Sequence, residues 1–315
     1  DVLLENVSPE RWTLFRPASD PAYPWHAILL GYPVLGVWFW CTDQTIVQRV
    51  LGARDLNQGQ WGAQFAGYLK ILTPFFFMLP GIACAVLYPT LDDPDKAFMT
   101  MVGNHLPAGM VGLIVAVLVA ALISTVDSGL NSFSTIFTLD IYRRKWRKGA
   151  TPHELKRVGR LVTILIAVCS VFIALSMDNV GKNLFDLLQS IIAYFAPPMA
   201  SVFLIGILWR RATSKAAFIT LTGGSVLCLS IGLMDFMQLP GPDFWPHFLL
   251  MSFYLFALLC AVMIVISLLT RNSQEEEVLP TFKETSAHME NTRGRIWLGW
   301  GILAAVMLTI FIVFN

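Results

Sequence analysis

A chain of 315 residues with 56% hydrophobic and only 14% charged residues, and with a positive mean hydropathy, lies outside the range of soluble globular domains. A net charge of +1 carries no information about acidic partners, and nucleic acid is not expected among them. Crossing about 30 Å of hydrocarbon at a 1.5 Å rise takes about 20 residues. Apolar runs of that length predict an all-α polytopic membrane protein with about eight transmembrane helices, near 27–50, 65–88, 107–131, 159–177, 184–208, 214–234, 247–270 and 296–314.

Residues 1–25 are polar and proline-rich, with no cleavable signal pattern, and are expected to form an extracellular segment. Nothing in them would deliver Asp1 across a membrane, so the pattern reads as the back part of a longer chain. Basic residues set the orientation. Arg49 and Arg54 follow the first crossing; Arg143, Arg144, Lys145, Arg147, Lys148, Lys156, Arg157 and Arg160 follow the third. Arg210, Arg211 and Lys215 follow the fifth, and Arg271, Lys283, Arg293 and Arg295 the seventh, whereas the intervening loops carry only Lys96 and Lys182. The loops after crossings one, three, five and seven are therefore expected on the cytoplasmic side. The five cysteines are widely spaced in apolar runs and read as buried free thiols.

The first crossing carries Trp38-Phe39-Trp40-Cys41-Thr42-Asp43-Gln44 in its second half, after Pro33 and Gly36. An intramembrane carboxylate and amide are unfavourable in lipid, so this stretch is expected to line a polar pathway. The second crossing holds Lys70 about 9 Å inside its apolar run. Lys70 either snorkels to the headgroups or faces Asp43, at similar depth, as a buried pair or across a shared polar substrate. The third crossing ends in the stretch 120–135, which holds Ser124-Thr125-Val126-Asp127-Ser128 and further hydroxyls at 132, 134 and 135. These either bond back to the preceding turn or, with freed carbonyls, supply oxygens to a small hard cation such as sodium. In the fifth crossing Gln189 lies about 9 Å from the outer face, serving an interhelical hydrogen bond or a ligand, and Pro197-Pro198 is expected to break the helix in mid-membrane. Lys70 and Gln189 thus bracket a gap of about 12 Å, the scale of a small polyol.

With these residues in hand the sequence resembles the sodium/solute symporter family, and within it the sodium/glucose cotransporter branch. The resemblance rests on Trp38 to Gln44 through Gln48-Arg49, Gly67-Tyr68-Leu69-Lys70, Ser124-Thr125 with Ser134 to Tyr142, and Phe185-Asp186 with Gln189 closing in Pro197-Pro198. It implies a LeuT-like pair of inverted five-helix repeats with substrate and ion at broken helices near the midplane. Residues 26–208 then correspond to the second five-helix repeat, and 209–315 to three peripheral transmembrane helices with a cytoplasmic linker at 271–295.

The resemblance further implies that Lys70 and Gln189 hydrogen-bond sugar hydroxyls and that Phe39, flanked by Trp38 and Trp40, is an aromatic gate without the phenolic hydroxyl often found there. Gly36 stands where some relatives place a sugar-contacting side chain. The Ala121 carbonyl and the Ser124 and Thr125 hydroxyls match ligands of a coupling sodium, and Asp127 and Ser128 align with a second sodium site of some branches. The first repeat is not among these residues, so they are expected to be either a fragment whose remaining contacts lie in an N-terminal repeat of the same full-length chain, the favoured reading, or a half that pairs with another chain. The implied activity is sodium-coupled symport of a sugar or polyol across the cell membrane. A sugar- and sodium-binding sensor or leak channel is the alternative. No HExxH, Ser-His-Asp grouping or metal-spaced histidine cluster suggests an enzyme.

Overall fold

Long apolar runs form helices because hydrocarbon offers the peptide group no partner outside its own segment. The computed structural model describes residues 15–20, 22–177, 184–241, 244–270 and 293–313. Most of the expected linker 271–295, and part of the expected segment 1–25, lie outside the described residues. In chain order the helices are α1 (Trp25–Val37), α2 (Gln44–Leu51), α3 (Leu56–Leu87), α4 (Ala97–His105), α5 (Ala108–Ile136), α6 (Pro152–Met177), α7 (Leu184–Leu208), α8 (Ser214–Phe236), α9 (Phe248–Leu269) and α10 (Arg293–Val313). Wider π-helical turns continue α1 over Trp38–Thr42 and α5 over Phe137–Trp146. Among the described residues there is no strand, and seven helices, α3 and α5 to α10, are long and apolar enough to cross a membrane. The chain is an all-α polytopic membrane protein.

The expected first crossing is the one that is not a single helix. It runs as α1, a π turn and α2, interrupted at Asp43. Elsewhere α3 begins at Leu56 instead of near 65, because Asp55 caps its polar first turn by accepting from the Gln58 N–H at 2.8 Å. The third crossing also continues past 131. Its polar tail stays helical because Ser132, Ser134 and Thr138 are buried.

The helices group into two compact units, residues 1–79 with 184–315, and residues 80–183. In the first, α7 packs against α1, the π turn after it, α8 and α9, and α9 packs against α1 and α8. Small residues allow this. Ala193, Ala196, Ala200 and Ser201 on α7 and Ala27 on α1 are fully buried, so helix backbones approach closely where lipid supplies no hydrophobic drive. Polar contacts add to the packing: the Tyr194 hydroxyl donates to Asp235 Oδ2 at 2.7 Å, and the Tyr68 hydroxyl donates to the Gly299 carbonyl at 2.7 Å.

Pro197-Pro198 does not break the fifth crossing, contrary to expectation. α7 is continuous from Leu184 to Leu208 with both prolines inside it. The prolines remove the N–H groups that would bond to the Ala193 and Tyr194 carbonyls, but both are fully buried among neighbouring helices, and Ser201 Oγ donates to the Pro198 carbonyl at 3.0 Å. Tertiary packing overrides the local breaker.

The second unit is built on α5, its π continuation and α6. Ser134 Oγ donates to the Gly159 carbonyl at 2.9 Å, an approach that Gly159 permits because a Cβ there would meet that Oγ at 3.3 Å. At the turn, Glu154 accepts from the Tyr142 hydroxyl at 2.7 Å and pairs with Arg147 at 3.0 Å.

The tightest crossing in the first unit is α1 over α9. A Cβ on Gly31 would collide with the Leu249 carbonyl oxygen and lie 2.7 Å from Leu249 Cβ, whereas one on Gly36 would meet nothing within 4 Å. Gly31→Ala should therefore lower stability by about 1–3 kcal/mol through overpacking. Gly36→Ala should be neutral or slightly stabilising. Thermal unfolding of the two variants in detergent micelles checks this, and equal melting temperatures would refute the close crossing.

Candidate functional site

The site begins where α1 stops being an α-helix. Its C-terminal end widens into the π turn, whose closing bond runs from the Asp43 N–H to the Trp38 carbonyl at 3.0 Å, five residues back. Thr42 Oγ1 donates to the same carbonyl at 2.7 Å. Asp43 then adopts extended dihedrals, φ −69° and ψ 117°, and its Oδ1 accepts from the Thr45 N–H at 2.8 Å and the Thr45 hydroxyl at 2.7 Å. The carboxylate is an N-cap, favoured further by the positive end of the α2 dipole. Among the described residues no ion pair joins Asp43 to Lys70, so the pair that their depth allowed does not form. A local cap two residues away satisfies the carboxylate instead.

Lys70 goes to an aromatic. Its Nζ lies 5.9 Å from the Phe39 ring centroid, within cation–π range, and the side chain is exposed. Phe39 is half-buried at the centre of an aromatic run, with ring centroids 6.2 Å from Trp38 and 5.2 Å from Trp40. Trp38 packs against the buried cluster of α1, α7 and α9, and Trp40 is exposed. The π turn thus presents a flat ring with a primary ammonium over it.

Gln189 is half-buried on α7, and its Nε2 donates to the Tyr32 hydroxyl on α1 at 3.3 Å. One turn before Gln189, Asp186 accepts a short hydrogen bond from the Tyr23 hydroxyl. Burial, and then that bond, push the Tyr23 phenol well above its ordinary value, so it remains a donor. The segment before α1 is tied down around Tyr23. Asp20 accepts from the Ala22 and Tyr23 N–H groups at 2.9 and 2.8 Å and pairs with Arg16 at 3.1 Å, while His247 Nε2 donates to the Ala22 carbonyl at 2.6 Å. Sequence reasoning missed Tyr23, Tyr32 and His247. For Tyr32 a signal was present, since it lies one turn before Gly36 on the same face of α1.

The expected ion ligands lie in the other unit, on α5. Ala121, Ser124, Thr125 and Asp127 are exposed and Ser128 is half-buried. Thr125 Oγ1 donates to the Ala121 carbonyl at 2.9 Å, and Ser128 Oγ donates to the Ser124 carbonyl at 2.8 Å. Back-bonding does not remove the oxygens from use. A hydroxyl that donates its proton keeps two lone pairs, and a carbonyl that accepts one bond keeps a second. The Ala121 and Thr125 oxygens are therefore held side by side, with acceptor capacity left for a cation.

Comparison with known proteins bears on the whole arrangement. A family model described as the sodium:solute symporter family matches residues 2–224. The chain is 36% identical over 295 residues to the sodium/mannose cotransporter of Bos taurus, a match covering 84% of this chain and 49% of that protein. It is 36% identical over 293 residues to sodium/myo-inositol cotransporter 2 of Oryctolagus cuniculus, covering 84% and 43%, and 33% identical over 304 residues to sodium/glucose cotransporter 4 of Homo sapiens, covering 86% and 44%. The chain spans about half the length of the curated relatives it matches.

The cap at Asp43 makes a sharp distinction testable. Asp43→Ala should lower stability by about 1 kcal/mol, whereas Asp43→Asn, whose amide oxygen still caps, should lose only a few tenths. Melting curves of the purified variants check this. If the charge of Asp43 mattered through Lys70, the asparagine variant would be as damaged as the alanine variant.

Proposed function

The chain belongs to the sodium:solute symporter family, and from that membership we propose that it forms part of a sodium-coupled symporter of a small polar solute, a sugar or polyol, working by alternating access. The observation that best supports this is the interrupted first crossing. α1 and α2 are separated by an extended, capped Asp43, and the turn before it carries Phe39 against Lys70. A helix interrupted inside an apolar segment exposes backbone ends that lipid cannot satisfy, and such ends serve where they line a polar cavity.

In this reading the Phe39 face stacks on the apolar face of the solute ring, with Trp38 and Trp40 alongside. Lys70 donates to solute hydroxyls as a point charge, and Gln189 both donates and accepts. Sodium is held by the Ala121 carbonyl and the Ser124 and Thr125 hydroxyls, and Asp127 with Ser128 forms a second ion position. Three oxygens from one helix fall short of the five or six that a small hard cation takes. The remaining ligands, and further solute contacts, come from a first repeat outside these 315 residues, in keeping with relatives about twice as long. Residues 26–208 form the second repeat and 209–315 the peripheral helices, with the basic loops facing the cytoplasm.

Each sodium ion entering down the membrane potential contributes about 2.3 kcal/mol per 100 mV, besides its concentration term. Coupling requires sodium to bind the outward-open state better than the inward-open one, since an ion with equal affinity for both shifts no population.

The test is uptake into proteoliposomes by the protein expressed from its complete reading frame. An inward sodium gradient should drive accumulation of labelled glucose, mannose or myo-inositol above the equilibrium level. Current without accumulation would identify a leak channel instead. Ser124→Ala/Thr125→Ala should raise the sodium concentration for half-maximal uptake by about tenfold or more, as loss of two ligand oxygens implies. Normal sodium dependence in that double variant would overturn the ion assignment.

A further inference from the structure

The face of α1 that meets α7 carries a polar group with no role in the reading above. Tyr32 and Gly36 are four residues apart and so lie on one face of the helix, one turn from each other. The Tyr32 ring packs against the buried cluster formed by Ala27, Val34, Ala193, Ala196 and Leu249, which fixes its position. Its hydroxyl is turned to Gln189 and accepts from Nε2 at 3.3 Å, longer than a strong N–H···O bond. A phenolic oxygen that accepts one bond still has its own proton to donate. Below it, a Cβ built on Gly36 meets nothing within 4 Å, so there is open space beside the helix one turn from the phenol. Next along the chain comes Phe39, which offers a ring and no hydroxyl.

We propose that Tyr32 is a specificity-determining residue of the solute site: its hydroxyl donates to a hydroxyl of a polyhydroxylated solute seated beside Gly36 and holds the Gln189 amide in register for the same solute. This rests on the reading of Gln189 as a solute ligand. The long Tyr32–Gln189 bond is the contact that the solute loosens or replaces, and the anchored ring keeps the phenol from following the amide away. The solute class follows from the groups present. A phenol, an amide and an ammonium beside flat aromatic rings suit a neutral ring bearing several hydroxyls, and the space left by Gly36 admits a substituent that a larger residue would exclude.

The experiment uses the protein from its complete reading frame and two readouts. Binding is followed by the change in tryptophan fluorescence, reported by Trp38 and Trp40, on titration with glucose, mannose, myo-inositol and the monodeoxy forms of the tightest binder. Transport is followed by sodium-driven uptake. Tyr32→Phe keeps the packed ring and removes only the hydroxyl. It should weaken binding of the preferred solute about fivefold, the effect of one neutral hydrogen bond, with sodium half-saturation and maximal uptake within about twofold of wild type. One monodeoxy analogue, lacking the hydroxyl that meets Tyr32, should bind wild type and Tyr32→Phe equally. Gly36→Leu should fold normally and lose affinity for the solute. Unchanged affinity for every solute in Tyr32→Phe, or an equal loss for all deoxy analogues, overturns the assignment. If the wild-type protein binds these solutes without accumulating them, the transport reading fails while the Tyr32 assignment still stands or falls on the binding data. If it binds none of them, both fail.

Discussion

A backbone inside hydrocarbon must satisfy its own hydrogen bonds, and at Asp43 the first expected crossing interrupts its helix. Everything around the break answers it. The π turn takes the Asp43 N–H, Thr42 closes on the same Trp38 carbonyl, and the Asp43 carboxylate caps the next helix through Thr45. The break would be unfavourable in an isolated span. Here it is flanked by α7, which packs against both α1 and the π turn and brings Gln189 to Tyr32.

The same constraint explains why small residues and hydroxyls hold the first unit together. Lipid tails are as apolar as leucine, so burial of apolar side chains alone gives helices little reason to associate. Close backbone approach gives dispersion contacts instead, and the glycines provide it. Gly31 meets Leu249, Gly224 meets Leu259, and Gly232 lies against the Tyr194 ring. Tyrosine hydroxyls add directional bonds between elements of this unit, to Asp186, Asp235 and the Gly299 carbonyl. Each such bond in a membrane contributes about 0.6 kcal/mol on average, so the arrangement depends on several acting together.

Much of this was legible in the sequence, because crossing a bilayer demands a long apolar run. The span 184–208 coincides with α7, and 214–234 with nearly all of α8. What escaped has physical causes. Asp43 and Lys70 share a depth, which suggested a pair, but depth says nothing of azimuth, and a residue beside its own helix start is satisfied locally first. The double proline signalled a break because local propensity forbids proline in a helix interior, while tertiary burial on α7 overrides it. The tail of α5 lies beyond the expected end of the third span at 131, and Ser134 there meets the Gly159 carbonyl of a partner helix that sequence order alone does not identify. Within the site, the aromatic run and its lysine were readable as a motif. Tyr32 had only its place one turn before Gly36 to mark it, since a tyrosine in an apolar helix otherwise looks like ordinary filling until its oxygen is seen opposite an amide.

The back-bonded hydroxyls of α5 carry one more implication. Thr125 and Ser128 each keep their proton engaged with a carbonyl four residues earlier, so neither donor depends on a partner from another helix. Polar side chains bonded in this way sit on an apolar helix without leaving a donor unmet.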